Sequence, residues 1–254
     1  MPSSPEFSIV TCTWNSAATL GDTLASLRAQ TCRDFEHIFV DGGSRDGTLD
    51  LIGACPGNKR VLHGVNGGIS RAMNAGIEAA RAAVRAHRHA GDYYGATGVP
   101  QQLARQFNAS GAAWVVGKIQ VLREGRLVPP FPLRPYSYRA YAAGRVSIAH
   151  PAVFVRREWF ARVGAFDPGL RYAMDIDLWL RLGALAAPAQ LDATLAVFRE
   201  HAGSVSSANK LRARQEEFRV RRRHAGRAPL AFAMYCLRYL KRMHRLRKAS
   251  ADPR

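Results

Sequence analysis

The first 90 residues alternate between short apolar runs, which are typical of buried strands, and segments whose apolar residues recur at helical spacing. Strands and helices that alternate with short connections are typical of a parallel α/β sheet with crossover helices. The alternation therefore predicts an α/β fold. The predicted strands are 7–11, 35–40 and 61–63, and the last predicted helix of this part is 69–84.

Composition limits the class of protein further. The chain has 254 residues, of which 47% are hydrophobic, so it can bury a sizeable core. Its four cysteines are scattered with no C-x-x-C pair, which predicts reduced thiols in a cytosolic protein. No apolar run reaches the roughly 18 residues of a membrane span. Residues 1–7 lack the basic and apolar regions of a secretory signal, so none is expected.

The alternation becomes less regular after residue 90, and the charge then becomes concentrated at the end of the chain. Residues 205–254 contain 15 Lys and Arg against 3 Asp and Glu, which is 12 of the net charge of +18. Two basic helices, roughly 208–224 and 229–247, are expected there. We therefore predict a globular domain over 1–206 and a basic helical extension over 207–254.

Polar clusters follow the predicted strands, where parallel α/β sheets bind their ligands. The clusters cover 11–15, 41–47 and 87–92, and two further acids, Asp175 and Asp177, open a later helix. There is no G-x-G-x-x-G after the first strand and no P-loop, which argues against the dinucleotide and P-loop classes. Carboxylates and histidines around such a crevice suit a divalent cation that bridges a diphosphate, with a separate carboxylate as base.

Eight segments, in order along the chain, resemble the family 2 glycosyltransferases of the GT-A fold. The resemblance covers about residues 6–206 and implies a mixed α/β sheet flanked by helices, followed here by the basic helical tail. Each motif is short, but all eight occur in the family's order. They are SIVTCTWN (8–15), SLRAQ (26–30), VDGGSRDGT (40–48), AMNAGI (72–77), HPAVF (150–154), GAFD (164–167), DIDLWLRL (175–182) and FREHAGS (198–204).

The resemblance assigns the nucleotide pocket to residues of the first two strand ends. It implies that Thr11, Thr13 and Asn15 line this pocket and that Asp41 accepts a hydrogen bond from the base of the nucleotide. The alternative for Asp41 is that it only caps the turn that follows it, since Asp is common in turns.

The same resemblance implies a Mn²⁺ or Mg²⁺ ion on the donor's diphosphate, with Asp92 and His201 as ligands. The family's acidic motif is half present, because Gly91 stands where a second acid is usual. Outside the family context, Asp92 would be interpreted as a turn residue and His201 as a surface histidine.

Asp175 matches the family's catalytic base, which takes a proton from the acceptor hydroxyl in an inverting transfer. Its alternative is a helix N-cap, because acids concentrate at helix starts. Arg71 stands where Asp is frequent and either contacts the diphosphate or is a solvated helix residue. Asn74, in the same segment, is expected to bind substrate, and His150 matches a position near the acceptor pocket.

The last predicted helix is amphipathic. Such a helix can lie on an anionic membrane surface, or it can pack its apolar stripe against the catalytic domain. The stripe is Leu230, Met234, Leu237, Leu240 and Met243, and it is flanked by Arg238, Lys241, Arg242 and Arg245.

The resemblance predicts an inverting, metal-dependent glycosyltransferase that moves a sugar from a nucleotide-diphosphate sugar to a saccharide acceptor, most simply a lipid-linked one. Exopolysaccharide, capsule or lipopolysaccharide synthesis is the implied setting. The predicted location is the cytoplasm, with a peripheral place on the inner face of the cytoplasmic membrane as a further option.

Three alternatives remain. Gly91 and Arg71 leave open a catalytically impaired relative that binds nucleotide or glycan. The pI of about 10.8 makes nucleic-acid binding a second alternative. However, the charge lies at one end of the chain, and no nucleic-acid module is recognisable, so no specific nucleic acid is expected. A nucleotidyltransferase would share the crevice but usually carries a Gly-rich basic loop after its first strand, where this chain has TCTWN (11–15).

Overall fold

The structure is a computed structural model that describes residues 5–200 and 209–251. Its strands are β1 (Phe7–Thr13), β2 (Phe35–Asp41), β3 (Lys59–Leu62), β4 (Val84–His89), β5 (Tyr93–Tyr94), β6 (Trp114–Arg123), β7 (Arg126–Val128), β8 (Val153–Arg156) and β9 (Ala189–Glu200). Its helices are α1 (Ala17–Arg28), α2 (Thr48–Ala54), α3 (Ile69–Ala79), α4 (Val99–Ser110), α5 (Tyr138–Ala142), α6 (Arg157–Val163), α7 (Met174–Gly183), α8 (Lys210–Arg223) and α9 (Pro229–Ala251).

The described strands form one mixed sheet in the order β3-β2-β1-β4-β8-β6-β9-β5, and β7 pairs with β6. The first four strands are parallel, whereas β8 runs antiparallel between β4 and β6. The register pairs Thr13 with Asp41 and Cys12 with His89. The ends of β1, β2 and β4 therefore meet at one edge of the sheet.

The centre of the sheet is covered on both faces, which explains the continuous apolar runs of the sequence. All seven residues of β1 are buried. Helix α3 packs closely on this strand, because a Cβ at Gly76 would lie 2.2 Å from Cγ1 of Val10. A larger residue at Gly76 would therefore push α3 away from the sheet.

The predicted α/β fold class is confirmed, but two boundaries are wrong. The helix predicted over 69–84 ends at Ala79, and β4 begins at Val84. The alanine-rich sequence between them favours a helix, but Ala80 is extended (ψ 133°) so that β4 can pair with β1. The spacing of Leu178, Leu182 and Leu185 predicts a helix over 175–185 that buries all three, but α7 ends at Gly183, and Leu185 is 58% exposed.

The two predicted C-terminal helices are present as α8 and α9, and they pack on the sheet domain. Val220 of α8 and Tyr235 of α9 are fully buried. Ring carbons of Tyr235 lie against Gly144, where a Cβ would be 3.0 Å away. Within 5–200 and 209–251, no helix combines the length and apolar content needed to cross a membrane. The division at residue 206 stays a prediction.

Candidate active site

A cavity of about 740 Å³ opens beyond the carboxyl ends of β1 and β2. This volume lies in the range of pockets that hold small molecules and cofactors. Three segments form its walls: the end of β1 with Gly42, the start of α3 with the loop before it, and the loop before α7. The lining residues are Cys12, Thr13, Trp14, Gly42, 65–70, Ala72 and 168–171.

The turn after β2 is built around the carboxylate of Asp41, which is 1% exposed. Its Oδ1 accepts hydrogen bonds from the hydroxyls of Thr13 (2.9 Å) and Ser44 (2.6 Å). Its Oδ2 accepts the backbone N–H groups of Gly43 (2.9 Å) and Ser44 (2.8 Å). These bonds outweigh burial and lower the pKa of Asp41, so the carboxylate is ionised at neutral pH. Asp41 therefore caps this turn. That it also accepts a hydrogen bond from the base of a nucleotide stays a prediction.

The three residues expected to line the nucleotide pocket take different positions. Thr13 lines the cavity. Asn15 is exposed with φ of +45°, and its Oδ1 accepts the N–H of Arg45 at 2.9 Å. Thr11 is fully buried, and its hydroxyl bonds Nε2 of His37 at 2.8 Å. This corrects the expectation for Thr11, which supports the sheet behind the cavity.

Trp14 is a wall residue that the sequence did not single out. Its side chain is 69% exposed and borders the cavity next to Gly42. An exposed indole at the end of a central strand is unusual, because large aromatic side chains normally contribute buried area. Trp14 thus offers a flat apolar surface at the mouth of the cavity.

The start of α3 forms the second wall. Gly67 (φ +100°) and Gly68 (φ +96°) precede the helix in conformations that favour glycine. The first N–H groups of a helix have no partner within it and attract anions. Arg71 is exposed, and its stem folds over Gly67, where a Cβ would lie 2.6 Å from its Cδ. Arg71 therefore stands beside the cavity wall.

Asn74 and His150 both contact Phe166. The amide of Asn74 pairs with the main chain of Phe166, donating to its carbonyl (2.8 Å) and accepting its N–H (2.9 Å). His150 is 8% exposed, and its ring stacks on Phe166 at 5.6 Å and lies 5.8 Å from Trp179. Asn74 thus fixes α3 to the Phe166 loop, and His150 belongs to a buried aromatic cluster. A contact of either residue with substrate stays a prediction.

Asp175 lies in the first turn of α7, directly after the loop that walls the cavity. Its Oδ1 accepts the N–H of Ile176 at 2.7 Å. Burial, with the nearby charge of Glu217, raises the pKa of Asp175 to about 6, although Arg221 opposes the shift. A carboxylate with this pKa is ionised at neutral pH and is a stronger base than an exposed aspartate.

Helix α8, which belongs to the predicted basic extension, supports this region through two glutamates. Oε1 of Glu216 accepts the N–H groups of Arg171 (2.9 Å), Tyr172 (2.6 Å) and Ala173 (2.8 Å). Glu217 pairs with Nε of Arg221 at 2.9 Å, and both are buried. Glu216 and Glu217 are the acidic residues of α8 and α9 in the described ranges. Two adjacent acids in so basic a segment are the sequence signal that could have indicated their structural role.

Asp177 has a structural role. Its Oδ2 accepts Nε of Arg181 at 2.8 Å, and its Oδ1 bonds Nε2 of His224 at 3.0 Å. These partners lower the pKa of Asp177. Asp175 and Asp177 therefore differ in role, with Asp177 joining α7 to the end of α8.

The family model described as Glycosyl transferase family 2 matches residues 8–151, which is more than half of the chain. The chain belongs to glycosyl transferase family 2.

Two curated relatives of this family 2 glycosyltransferase come from mycobacteria. An uncharacterized glycosyltransferase of Mycobacterium tuberculosis is 29% identical over 203 residues, covering 78% of this chain and 76% of the relative. A PGL/p-HBAD biosynthesis glycosyltransferase of Mycobacterium bovis is 30% identical over 190 residues, covering 70% of this chain and 69% of the relative.

The fold matches that of a solved glycosyltransferase. Residues 1–349 of S. aureus TarS, crystallised in complex with UDP-GlcNAc, superpose with a TM-score of 0.70 at 19% identity. The match covers 85% of the family 2 chain and 64% of that TarS chain, and another TarS structure is covered over 37% of its length. The chain thus spans less than two thirds of these TarS chains. At this identity, the likeness shows the GT-A-type fold alone.

Family 2 enzymes generally use a divalent metal, so the predicted ligands can be tested for fit. Asp92 is 2% exposed, and its Oδ1 accepts the N–H of Arg199 at 3.3 Å. The neighbouring Gly91 has φ of +111°, so an acid is disfavoured there. Among the described residues, no three His, Cys, Asp or Glu side chains form a group that could hold a metal. His201 lies outside the described residues. The residues that are described do not by themselves fit a divalent metal.

Proposed function

We propose that this family 2 glycosyltransferase transfers a sugar from a nucleotide-diphosphate donor to a hydroxyl of a saccharide acceptor, with inversion at the anomeric carbon. The observation that carries the proposal is that one chain segment both walls the cavity and leads to the proposed base. The loop 168–171 walls the cavity, and the same segment continues into α7 with Asp175. An inverting transfer requires a bound donor and a base that reaches the acceptor hydroxyl, and Asp175 follows the cavity wall by four residues along the chain.

The cavity wall suits a nucleotide. Trp14 offers an aromatic face on which a base can stack, and stacking of this kind contributes about 1–3 kcal/mol per base in single-strand binding proteins. The N–H groups at the start of α3, with Arg71 beside them, suit the negative charge of a diphosphate. The UDP-GlcNAc-bound neighbour supports a UDP-sugar as the first donor to test.

Asp175 would act as the general base. It removes the proton from the acceptor hydroxyl while that oxygen forms a bond to the anomeric carbon. The bond from this carbon to the nucleoside diphosphate breaks, and the diphosphate leaves with the electron pair. The pKa of about 6 lets Asp175 be both ionised and basic near neutral pH.

The proposed ion is Mn²⁺ or Mg²⁺, with Asp92 and His201 as its predicted ligands. Such an ion would stabilise charge on the departing diphosphate. The described residues do not by themselves complete a site for this ion. The proposed acceptor is a lipid-linked saccharide, and the proposed setting is cytoplasmic assembly of exopolysaccharide, capsule or lipopolysaccharide. The relative named as a PGL/p-HBAD biosynthesis glycosyltransferase supports a biosynthetic role.

A transfer assay tests the proposal. Labelled UDP-, GDP- and dTDP-sugars would be incubated with a lipid extract of the source organism and the purified protein. We expect one donor to label a lipid-soluble product, and we expect Asp175→Asn to reduce this labelling by a factor of about 10²–10⁴. Equal labelling by wild type and Asp175→Asn would contradict the role of Asp175 as base.

A catalytically impaired relative is the alternative function, and two observations favour it: Gly91 stands in place of an acid and Arg71 in place of an Asp. In that case nucleotide would bind and no donor would be consumed. The same assay, with released nucleoside diphosphate as readout, separates the two functions.

A further inference from the structure

The C-terminal helix α9 carries four large apolar side chains on its solvent-facing side. Leu230 is 82% exposed, Leu237 is 64% exposed and Leu240 is 63% exposed. Met234, on the same side, is 44% exposed. At 1.5 Å per residue, they form a stripe about 15 Å long. We call Leu230, Met234, Leu237 and Leu240 the α9 apolar stripe.

The orientation of α9 about its axis is fixed by its opposite side. Tyr235 is fully buried, and Met243 is 6% exposed. The guanidinium of Arg221 lies 4.7 Å over the Tyr235 ring, and the rings of Phe218 and Tyr239 are 4.5 Å apart. The α9 apolar stripe therefore cannot turn inward without breaking this packing. Met243, predicted to belong to the stripe, faces the domain instead.

Basic residues surround and extend the stripe. Arg238, Lys241 and Arg245 are exposed, and between 229 and 251 the sequence has no Asp or Glu. Arg245 also borders a crevice of about 470 Å³ that α8, α9 and the start of α7 line, and four cations, Lys210, Arg214, Arg242 and Arg245, face it with one acid, Glu217. The face thus combines apolar area with positive charge.

We propose that α9 docks this protein on an anionic lipid bilayer, with the α9 apolar stripe buried among the lipids and the neighbouring cations at the headgroups. An anionic bilayer accommodates the apolar side chains in its interior and the cations at its headgroups. A second copy of the chain fits less well, because two such faces would bring their cations together. A nucleic acid would leave the leucines without a partner. The proposal is independent of the transferase activity.

Vesicle co-sedimentation tests the docking with the full chain. We expect the wild type to sediment with vesicles that contain phosphatidylglycerol and much less with pure phosphatidylcholine. The double variant Leu230→Gln/Leu237→Gln should bind the anionic vesicles at least about tenfold more weakly, because two apolar side chains no longer leave water on binding. The double variant Lys241→Gln/Arg245→Gln should bind the anionic vesicles about fivefold more weakly for each charge removed.

The matched control is Leu127→Gln on β7, which removes another exposed leucine (52%) away from α9. It should bind vesicles as the wild type does. Circular dichroism would verify that each variant is folded, which is expected because all the changed side chains are exposed. Three results would overturn the proposal: no binding by the wild type, equal binding by the double leucine variant, or stripe-dependent dimers in light scattering without vesicle binding.

Discussion

Glu216 of α8 accepts a hydrogen bond from the backbone N–H of Ala173 at 2.8 Å, two residues before Asp175. The same oxygen holds the N–H groups of Arg171 and Tyr172. A basic helix outside the residues matched by the family model thus fixes the loop that both walls the cavity and leads to the proposed base. The C-terminal extension is therefore part of the architecture of the site.

Removing that carboxylate should loosen the loop. We expect Glu216→Ala to lower the free energy of unfolding by about 1.5–3 kcal/mol, because three main-chain donors lose a charged acceptor. Urea unfolding measures this loss. Arg219→Ala is the control, since Arg219 is largely exposed and its nitrogen lies 3.9 Å from Glu216. Similar stability of both variants would show that Glu216 does not hold the loop.

The activity should follow the ionisation of Asp175. With its pKa raised to about 6, the base is protonated below that pH, so kcat/KM should fall as the pH drops through about 6. Donor affinity, measured by calorimetry over the same range, should change less. A rate that stays flat from pH 8 to pH 5, as approximate limits, would argue against Asp175 as the titrating base.

The same pKa predicts an effect on stability with the opposite sign to that of most acids. The pKa of Asp175 is near 3.8 in the unfolded state and about 6 in the folded state, so the folded state holds the proton more tightly. Ionisation of Asp175 therefore lowers the free energy of unfolding as the pH rises from about 4 to above 6. Asp175→Asn should therefore be more stable than the wild type at pH 8 or so, and this gain should shrink near pH 4. Thermal unfolding at the two pH values measures it. A variant less stable than the wild type at the higher pH would contradict the assigned shift.

The turn after β2 should depend on the charge of Asp41. Asp41→Asn places an NH₂ group where an oxygen accepts two hydrogen bonds, and we expect a loss of about 1–3 kcal/mol in unfolding free energy. Nucleotide binding should weaken as well, because this turn positions Thr13 and Gly42 in the cavity wall. Asp50→Asn, an exposed acid in α2, is the control. Unchanged stability in Asp41→Asn would show that the turn does not need the carboxylate.

The glycine in the acidic motif should not be replaceable. Gly91 has φ of +111°, and a Cβ there would meet Cβ of Thr19 at 3.2 Å. We expect Gly91→Ala and Gly91→Asp to lower stability by about 1–3 kcal/mol. Gly21→Ala, in α1 with open space around it, should be neutral or slightly stabilising. A stable Gly91→Asp variant would mean that the backbone accepts an acid at this position.

Sequence reasoning identified the fold because local and global signals agree in the first 80 residues. The strand ends, the turn at Asp41 and the start of α3 follow from periodicity, turn chemistry and the resemblance. The side-chain partners did not follow. Whether Thr11 faces His37 or a ligand depends on the register of β1 against β2, and the amide of Asn74 could not be matched to Phe166 from the sequence.

The C-terminal helices show the other limit of sequence reasoning. The stripe on α9 was recognised, but its direction depends on how Tyr235 and Met243 pack on the domain. Glu216 and Glu217 look like ordinary helix-face acids until the loop before α7 is placed beside them. Such long-range contacts carry no local sequence pattern.

The most direct test of the account is calorimetric titration of UDP, GDP and dTDP into the full chain, with and without Mn²⁺. We predict that one nucleotide binds and that Trp14→Ala weakens it by roughly 1–3 kcal/mol, while Leu127→Gln binds as the wild type does. Dependence on Mn²⁺ would support the predicted ion, and binding without it would remove the ion from the account and leave the donor site. Failure of all three nucleotides to bind would contradict the proposal that this cavity holds a nucleotide-sugar donor.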